Sequence, residues 1–204
     1  MAPPSPILST CKIANGRIVV DGTVLFEADG ADFQAFAKAV YQHLGIAYPK
    51  FYKMDCLSKL AFLAAEILLG GHPEVIAGNG PAVVFANRSS SLDTDVVFQQ
   101  SIADPENYFP SPAVFVYTLP NICVGEISVR HQLKSANYFF ILDTFDSDFL
   151  QTFAEDLMAS AKAEYVLCGW VECFGNAYTA TMWLTGGGMP ADFARDASLQ
   201  QFEK

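Results

Sequence analysis

The sequence predicts a layered α/β/α domain built on a mostly parallel five-stranded sheet. Three observations predict it. Strand-length runs alternate with amphipathic helical segments from Asp32 to Leu184. The central runs are apolar throughout, the pattern of strands covered on both faces. One helical segment, residues 55–69, is apolar around most of its circumference and so packs on more than one side. The 204 residues suffice for one sizeable core. They divide into a loose segment over 1–10, a single domain over 11–190 and a tail over 191–204.

The elements follow in order. Asn15-Gly16 and Asp21-Gly22 bracket residues 17–20, and residues 23–27 come next, a run of short β segments with hairpin turn chemistry. Residues 32–44 form a helix with Asp32 as N-cap and Gly45 as the stop. Phe33, Phe36, Ala37, Val40 and Leu44 share its apolar face. In the helix at 55–69, Asp55, Lys59 and Glu66 occupy one narrow stripe, and leucines, Phe62 and Ile67 fill most of the rest. Residues 81–86 are a continuous apolar strand, after which the polar stretch 87–95 leaves the layer. Asn121 caps a helix through Leu133, residues 137–143 form an apolar strand, and residues 145–161 form a helix burying Phe149, Leu150, Phe153, Leu157 and Ala161. Strands at 164–171 and 177–184 close the series.

Composition narrows the function. Hydrophobic residues make 51% of the chain and charged residues only 17%, against about 25% in an average soluble domain. Apolar surface is therefore expected to be covered by a second subunit. The formal charge of −10 argues against nucleic acid and anionic membrane surfaces, which need clustered Lys and Arg. No apolar run reaches the length of a membrane span, and the N-terminus shows no secretory pattern. Five cysteines, an odd number in apolar context, fit a reducing compartment better than a disulfide framework, so the expected location is the cytoplasm.

Catalytic signatures are sparse. The chain has no Gly-x-Ser-x-Gly elbow, no phosphate loop and no dinucleotide fingerprint. His43, His72 and His131 are isolated, and Cys168 with Cys173 lacks the second pair or histidine that a metal site needs, so no metal or cofactor is expected. Gly186-Gly187-Gly188 reads as a turn, since no basic helix follows to bind phosphate. The more informative position is the strand-to-helix junction at residues 142–148. There Asp143 and Thr144 can cap the helix and Asp146 and Asp148 lie in its first turn, where the macrodipole favours negative charge.

The order of these pieces resembles the N-terminal half of a β-ketoacyl synthase of the thiolase-like superfamily. The matching parts are the buried helix around Lys53-Met-Asp-Cys-Leu-Ser-Lys-Leu, the strand at 82–86 with the small polar Asn87-Arg-Ser-Ser-Ser after it, and Phe109-Pro-Ser-Pro. They continue with residues 119–134, the strand at 138–142, a helix, and Ala163-Glu-Tyr-Val-Leu-Cys-Gly-Trp-Val-Glu. Aligned without gaps through Leu133 from one side and through Ala163-Glu164 from the other, the family's nucleophilic cysteine falls on Thr144.

Two departures limit what the resemblance implies. A threonine hydroxyl beside Asp143, Asp146 and Asp148 is not the family's nucleophile. The chain also stops before the half that in the family supplies two catalytic histidines. No catalytic residue is carried over. The resemblance implies instead a ketosynthase-like accessory subunit of fatty-acid or polyketide-type biosynthesis, without condensing activity. It implies a homodimer or a heterodimer with an active ketosynthase, the strand at 137–142 and the helix at 121–133 lying at or near the interface. Any link to the acyl carrier protein, itself acidic, is expected to be indirect. Coverage of that strand by residues 191–204 stays open. A different class also stays open, an acyltransferase or acyl-binding protein using Cys123 or Ser147: Cys123 lies near a helix N-terminus that lowers a thiol pKa when exposed, but between Ile122 and Val124 it reads more readily as a packing thiol.

Overall fold

The computed structural model describes residues 5–28 and 32–187. The first three strands, β1 (Ile7–Ala14), β2 (Arg17–Val20) and β3 (Thr23–Glu27), are joined by two-residue turns. Asn15-Gly16 and Asp21-Gly22 hold positive φ angles of 51° and 73°, and 48° and 78°, the conformation whose twist matches antiparallel strands. Gly16 has a second constraint, because a Cβ there would stand 2.5 Å from the Ala28 carbonyl oxygen. The expectation that 1–10 is loose is corrected in its second part. β1 already begins at Ile7, and Ser9, Cys11 and Ile13 alternate inward along it.

The remaining strands are β4 (Ala82–Asn87), β5 (Asn137–Ile141), β6 (Tyr165–Phe174) and β7 (Ala177–Gly186). All seven form one sheet in the order β3-β2-β1-β7-β6-β4-β5. Only the pairings of β4 with β5 and with β6 are parallel, and the other four are antiparallel. This corrects the mostly parallel five-stranded sheet. Tight turns within β1–β3 and between β6 and β7 leave no length for crossovers, so those strands must run antiparallel. The parallel part, β6-β4-β5, occupies one end of the sheet, and within it every residue of β4 is buried between its two neighbours.

Helices cover both faces, as the layered class requires. On one side lie α1 (Phe33–His43), α2 (Cys56–Gly71) and α5 (Ile122–His131); on the other lies α6 (Ser147–Ala159). Asp32 caps α1 by accepting from Ala35 N at 2.8 Å, and Asp55 caps α2 by accepting from Ser58 N at 2.9 Å. α2 is sheathed by α1, α5 and the sheet, which accounts for its nearly all-round apolar sequence. Two further helices, α3 (Leu92–Gln100) and α4 (Pro112–Val116), lie in stretches where the sequence showed no helical periodicity. At the centre of β6, Gly169 lies so close to β7 and β4 that a Cβ would sit 2.7 Å from Met182 Cγ and 3.2 Å from Phe85 Cδ1.

The cysteines overturn the expectation of thiols alone. Cys56 at the start of α2 and Cys173 near the end of β6 are disulfide-bonded, while Cys11, Cys123 and Cys168 are free and buried. Nothing in the sequence marks the pair, since 117 residues separate its members and only the folded sheet brings their Cα atoms to 6.2 Å. Cys168 faces the α6 side of the sheet and Cys173 the opposite side, so the two cannot share a metal. Among the described residues no helix is long and apolar enough to cross a membrane. The tail at 191–204 lies outside the described residues.

Candidate functional site

The three parallel strands deliver their C-terminal ends to one edge of the sheet. Asn87 pairs in register with Ile141, and Leu142 N donates to the Asn87 carbonyl at 2.9 Å, so β4 and β5 end together. From there the chain turns through Asp143, Thr144 and Phe145 into α6. Phe145 leans inward, its ring 5.8 Å from that of Trp170 and 6.5 Å from that of Trp183. This anchoring delays the helix. Asp146, in extended conformation, caps α6 by accepting from Phe149 N at 2.8 Å, and the helix starts at Ser147. The expected start at Phe145 with Asp143 or Thr144 as cap is thereby corrected. Asp143, Thr144, Asp146 and Asp148 are exposed, with Asp148 alone inside the first turn.

The loop after β4 forms the other wall. The buried Asn87 side chain closes on Ser90, donating from Nδ2 to its carbonyl at 2.8 Å and accepting its N–H at 2.9 Å, while Ser90 takes a positive φ of 52°. Glu172 on β6 reaches up into this loop, and its Oε2 accepts from Arg88 N at 2.8 Å and Ser89 N at 3.3 Å. Its other oxygen, Oε1, is buried without a hydrogen-bond partner among the described residues. Sequence reading did not single out Glu172 or Asn87 as site residues. The available signal was a carboxylate in an otherwise apolar strand, residues 165–174.

No thiol or imidazole stands at this edge among the described residues. Cys123, the second residue of α5, is 1% exposed, and burial, with the Asp55 charge adding to it, pushes its thiol well above the ordinary range. Burial likewise raises the Cys168 thiol, and it pushes Cys11, beside Asp21, up to about 12. Ser147 is 5% exposed at the foot of α6. The histidines lie elsewhere: His43 against the Phe26 ring, His72 beside Glu74, and His131 Nε2 at 2.9 Å from Glu66. No group of three or more His, Cys, Asp or Glu among the described residues is placed to hold a metal. The junction presents the Thr144 hydroxyl among the exposed carboxylates of Asp143, Asp146 and Asp148.

β5 is the last strand of the sheet, and its outer hydrogen-bonding edge faces no other strand among the described residues. Tyr138 and Phe140 lie on one face of it and meet Phe149 and Phe153 of α6 edge to face. Phe139 packs into the opposite core, and Ile141 at the strand end is 53% exposed.

No protein-family model and no curated protein matches the sequence. Solved structures do match the architecture. A ketosynthase in complex with its chain length factor from Xenorhabdus doucetiae aligns over 93% of this chain and 81% of that chain, with a TM-score of 0.60 and 18% identity. The ishigamide ketosynthase/chain length factor aligns over 93% of this chain and 64% of that chain, with a TM-score of 0.68 and 17% identity. The chain has a ketosynthase-like, thiolase-like fold. A third match, a type II acyl-carrier protein in complex with its ketosynthase bound to the hexaketide, covers 98% of this chain and 65% of that chain, with a TM-score of 0.58 and 13% identity. This chain spans less than two thirds of the length of the second and third of these. Within the ketosynthase-like fold, the edge occupied by Asn87, Thr144 and Glu172 is the carboxyl end of the parallel strands, where α/β sheets collect their ligands.

Proposed function

We propose that this chain is a ketosynthase-like subunit without condensing activity, acting beside an active ketosynthase in fatty-acid or polyketide-type biosynthesis in the manner of a chain length factor. One observation carries the reading: the junction that the resemblance aligns with the family's nucleophile holds Thr144 flanked by exposed carboxylates, with no thiol or histidine near it among the described residues. A threonine hydroxyl at neutral pH is no acyl acceptor without a base, and Asp143, Asp146 and Asp148 oppose any anion beside them.

The partner is read from β5. An unpaired edge with Ile141 exposed at its end is suited to addition of a strand from a second subunit, and the small charged fraction of the chain, 17%, leaves apolar surface for it. The net charge of −10 disfavours direct contact with an acidic carrier protein, so the ketosynthase is the contact and the carrier link is indirect. Self-pairing through the same edge is the homodimeric form. The place of action is the cytoplasm, where the ketosynthase and carrier partners of such a pathway work.

Co-expression with the ketosynthases and carrier proteins of the same source tests this. The expected result is a complex that survives purification and a product of altered chain length when this chain is omitted. Absence of any complex together with unchanged product length overturns it. The alternative, acyl transfer or acyl binding at Cys123 or Ser147, requires a residue reachable by an acyl donor, and both are buried. Intact mass after incubation with acyl thioesters separates the two, a stable adduct on either residue favouring the alternative.

A further inference from the structure

We propose that the Cys56–Cys173 pair is a redox-responsive latch that sets the position of α3 and so of the apolar surface carried by α3 and α4. The two cysteines join the start of α2 to the end of β6, with Cα atoms 6.2 Å apart, within the usual span of a disulfide. α3 is tied to the rest of the protein at these same two points. Thr94 Oγ1 donates to Asp55 Oδ2 at 2.9 Å, and Asp55 immediately precedes Cys56. Gly175 N donates to Asp93 Oδ1 at 2.8 Å, and Gly175 lies two residues beyond Cys173.

Little else holds α3. Thr94 is its one buried residue, while Leu92, Val96 and Val97 are exposed. α4 rides on it through the Phe98–Phe115 ring contact at 5.3 Å and the Ser91 Oγ bond to the Thr118 carbonyl at 2.7 Å. α4 is also held at its end, where Tyr117 donates to Glu126 Oε1 at 3.0 Å, and beside α3 it completes an apolar platform of Leu92, Val96, Val97, Phe115, Val116 and Leu119. With the disulfide closed, both anchors of this platform are covalently fixed to each other. With it open, the start of α2 and the end of β6 can part, and the two side-chain bonds that orient α3 are strained or lost.

The chemistry is thiol–disulfide exchange. Closing takes the two protein thiols and one disulfide oxidant of the oxidised-glutathione class. The thiolate of Cys56, at 9% exposed the more accessible of the two, attacks the oxidant and forms a mixed disulfide, releasing one glutathione thiol. Cys173 then displaces the second glutathione thiol, so the two electrons and two protons leave on the two glutathiones. A dithiol reductant reverses the sequence.

The test uses the whole chain and no partner, so its outcome is independent of the ketosynthase reading. Alkylation of the denatured protein without reductant is expected to label the three free cysteines, and after reduction all five. Amide hydrogen exchange across residues 92–100 is expected to quicken at least about tenfold on reduction, because local opening no longer works against a fixed anchor. The melting temperature falls by on the order of 10 °C, and oxidised glutathione restores both. Cys173→Ala is expected to exchange like the reduced protein whatever the redox state; if that variant fails to fold, the reduced wild type supplies the same comparison. Five labelled thiols without reductant, or unchanged exchange in α3 on reduction, or a change that oxidised glutathione does not reverse, overturns the proposal.

Discussion

Arg130 on α5 grips Glu66 on α2 with two prongs, Nε standing 2.7 Å from Oε1 and Nη2 3.1 Å from Oε2. The guanidinium also lies 5.2 Å from the centre of the Tyr48 ring, and His131 adds a third contact to the carboxylate. Glu66 was legible as part of the polar stripe of its helix, but its partners were not. Replacing Arg130 by Ala is expected to lower unfolding stability by about 1.5–3 kcal/mol, the range for a hydrogen bond to a charged group. Lysine should recover only part of this because it cannot make the two-pronged contact. Urea denaturation at neutral pH measures both.

The same carboxylate makes a pH prediction. Burial raises the Glu66 pKa, but the close contact of His131, the hydrogen bonds from Arg130 and the charge of both outweigh it, and the net direction is down. A depressed folded-state value stabilises the native state above the unfolded pKa of about 4.3. That contribution is lost as pH falls through the lower folded value. Acid titration should show Glu66→Gln losing this part of the wild-type slope below about pH 4.3.

Asp55 should behave in the opposite sense. Burial raises its pKa and the nearby Asp93 adds to this, while bonds from Ser58 and Thr94 offset only part. With a raised folded-state value, the contribution is present below the unfolded pKa of about 3.9 and is lost as pH rises through the folded value. At neutral pH, Asp55→Asn keeps a capping oxygen and is expected to match or exceed the wild type. Asp55→Ala loses the cap at a cost of about 1–2 kcal/mol. Thermal melts of the two variants at pH 7 give the order.

Gly169→Ala places a methyl group between Met182 and Phe85 at the centre of the sheet. The expected cost is about 1–3 kcal/mol, the usual range for an overpacked core. A midpoint unchanged in denaturant would mean that Met182 swings clear.

On the proposed partner edge, Ile141→Lys puts a charge where the strand end is already exposed. It should leave the melting temperature of the isolated chain within a degree or two and abolish co-purification with the ketosynthase. Retained co-purification would move the interface elsewhere.

Much of the layer plan was legible residue by residue. Asn15-Gly16 and Asp21-Gly22 announced the hairpins, Asp32 and Asp55 announced helix starts, and the unbroken apolar run before Asn87 announced a strand buried on both faces. α3 was not legible, because its apolar residues do not fall on one buried face and its position comes from Asp55 and Gly175, far away in sequence. Glu172 was hidden for a similar reason, its role depending on a loop 83 and 84 residues earlier.

By itself the sequence determined what short-range physics controls: the period of each element, the caps, the turns, the alternation that makes an α/β/α layer, and a junction whose residues are Asp143, Thr144 and Asp146. The tertiary structure alone decided which strands pair and in which direction, that β5 ends the sheet, and that Cys56 meets Cys173. Those outcomes depend on how apolar faces distant in the chain are buried together. A strand carries the same pattern whichever neighbour it takes, and a cysteine carries no mark of the partner that folding brings within reach.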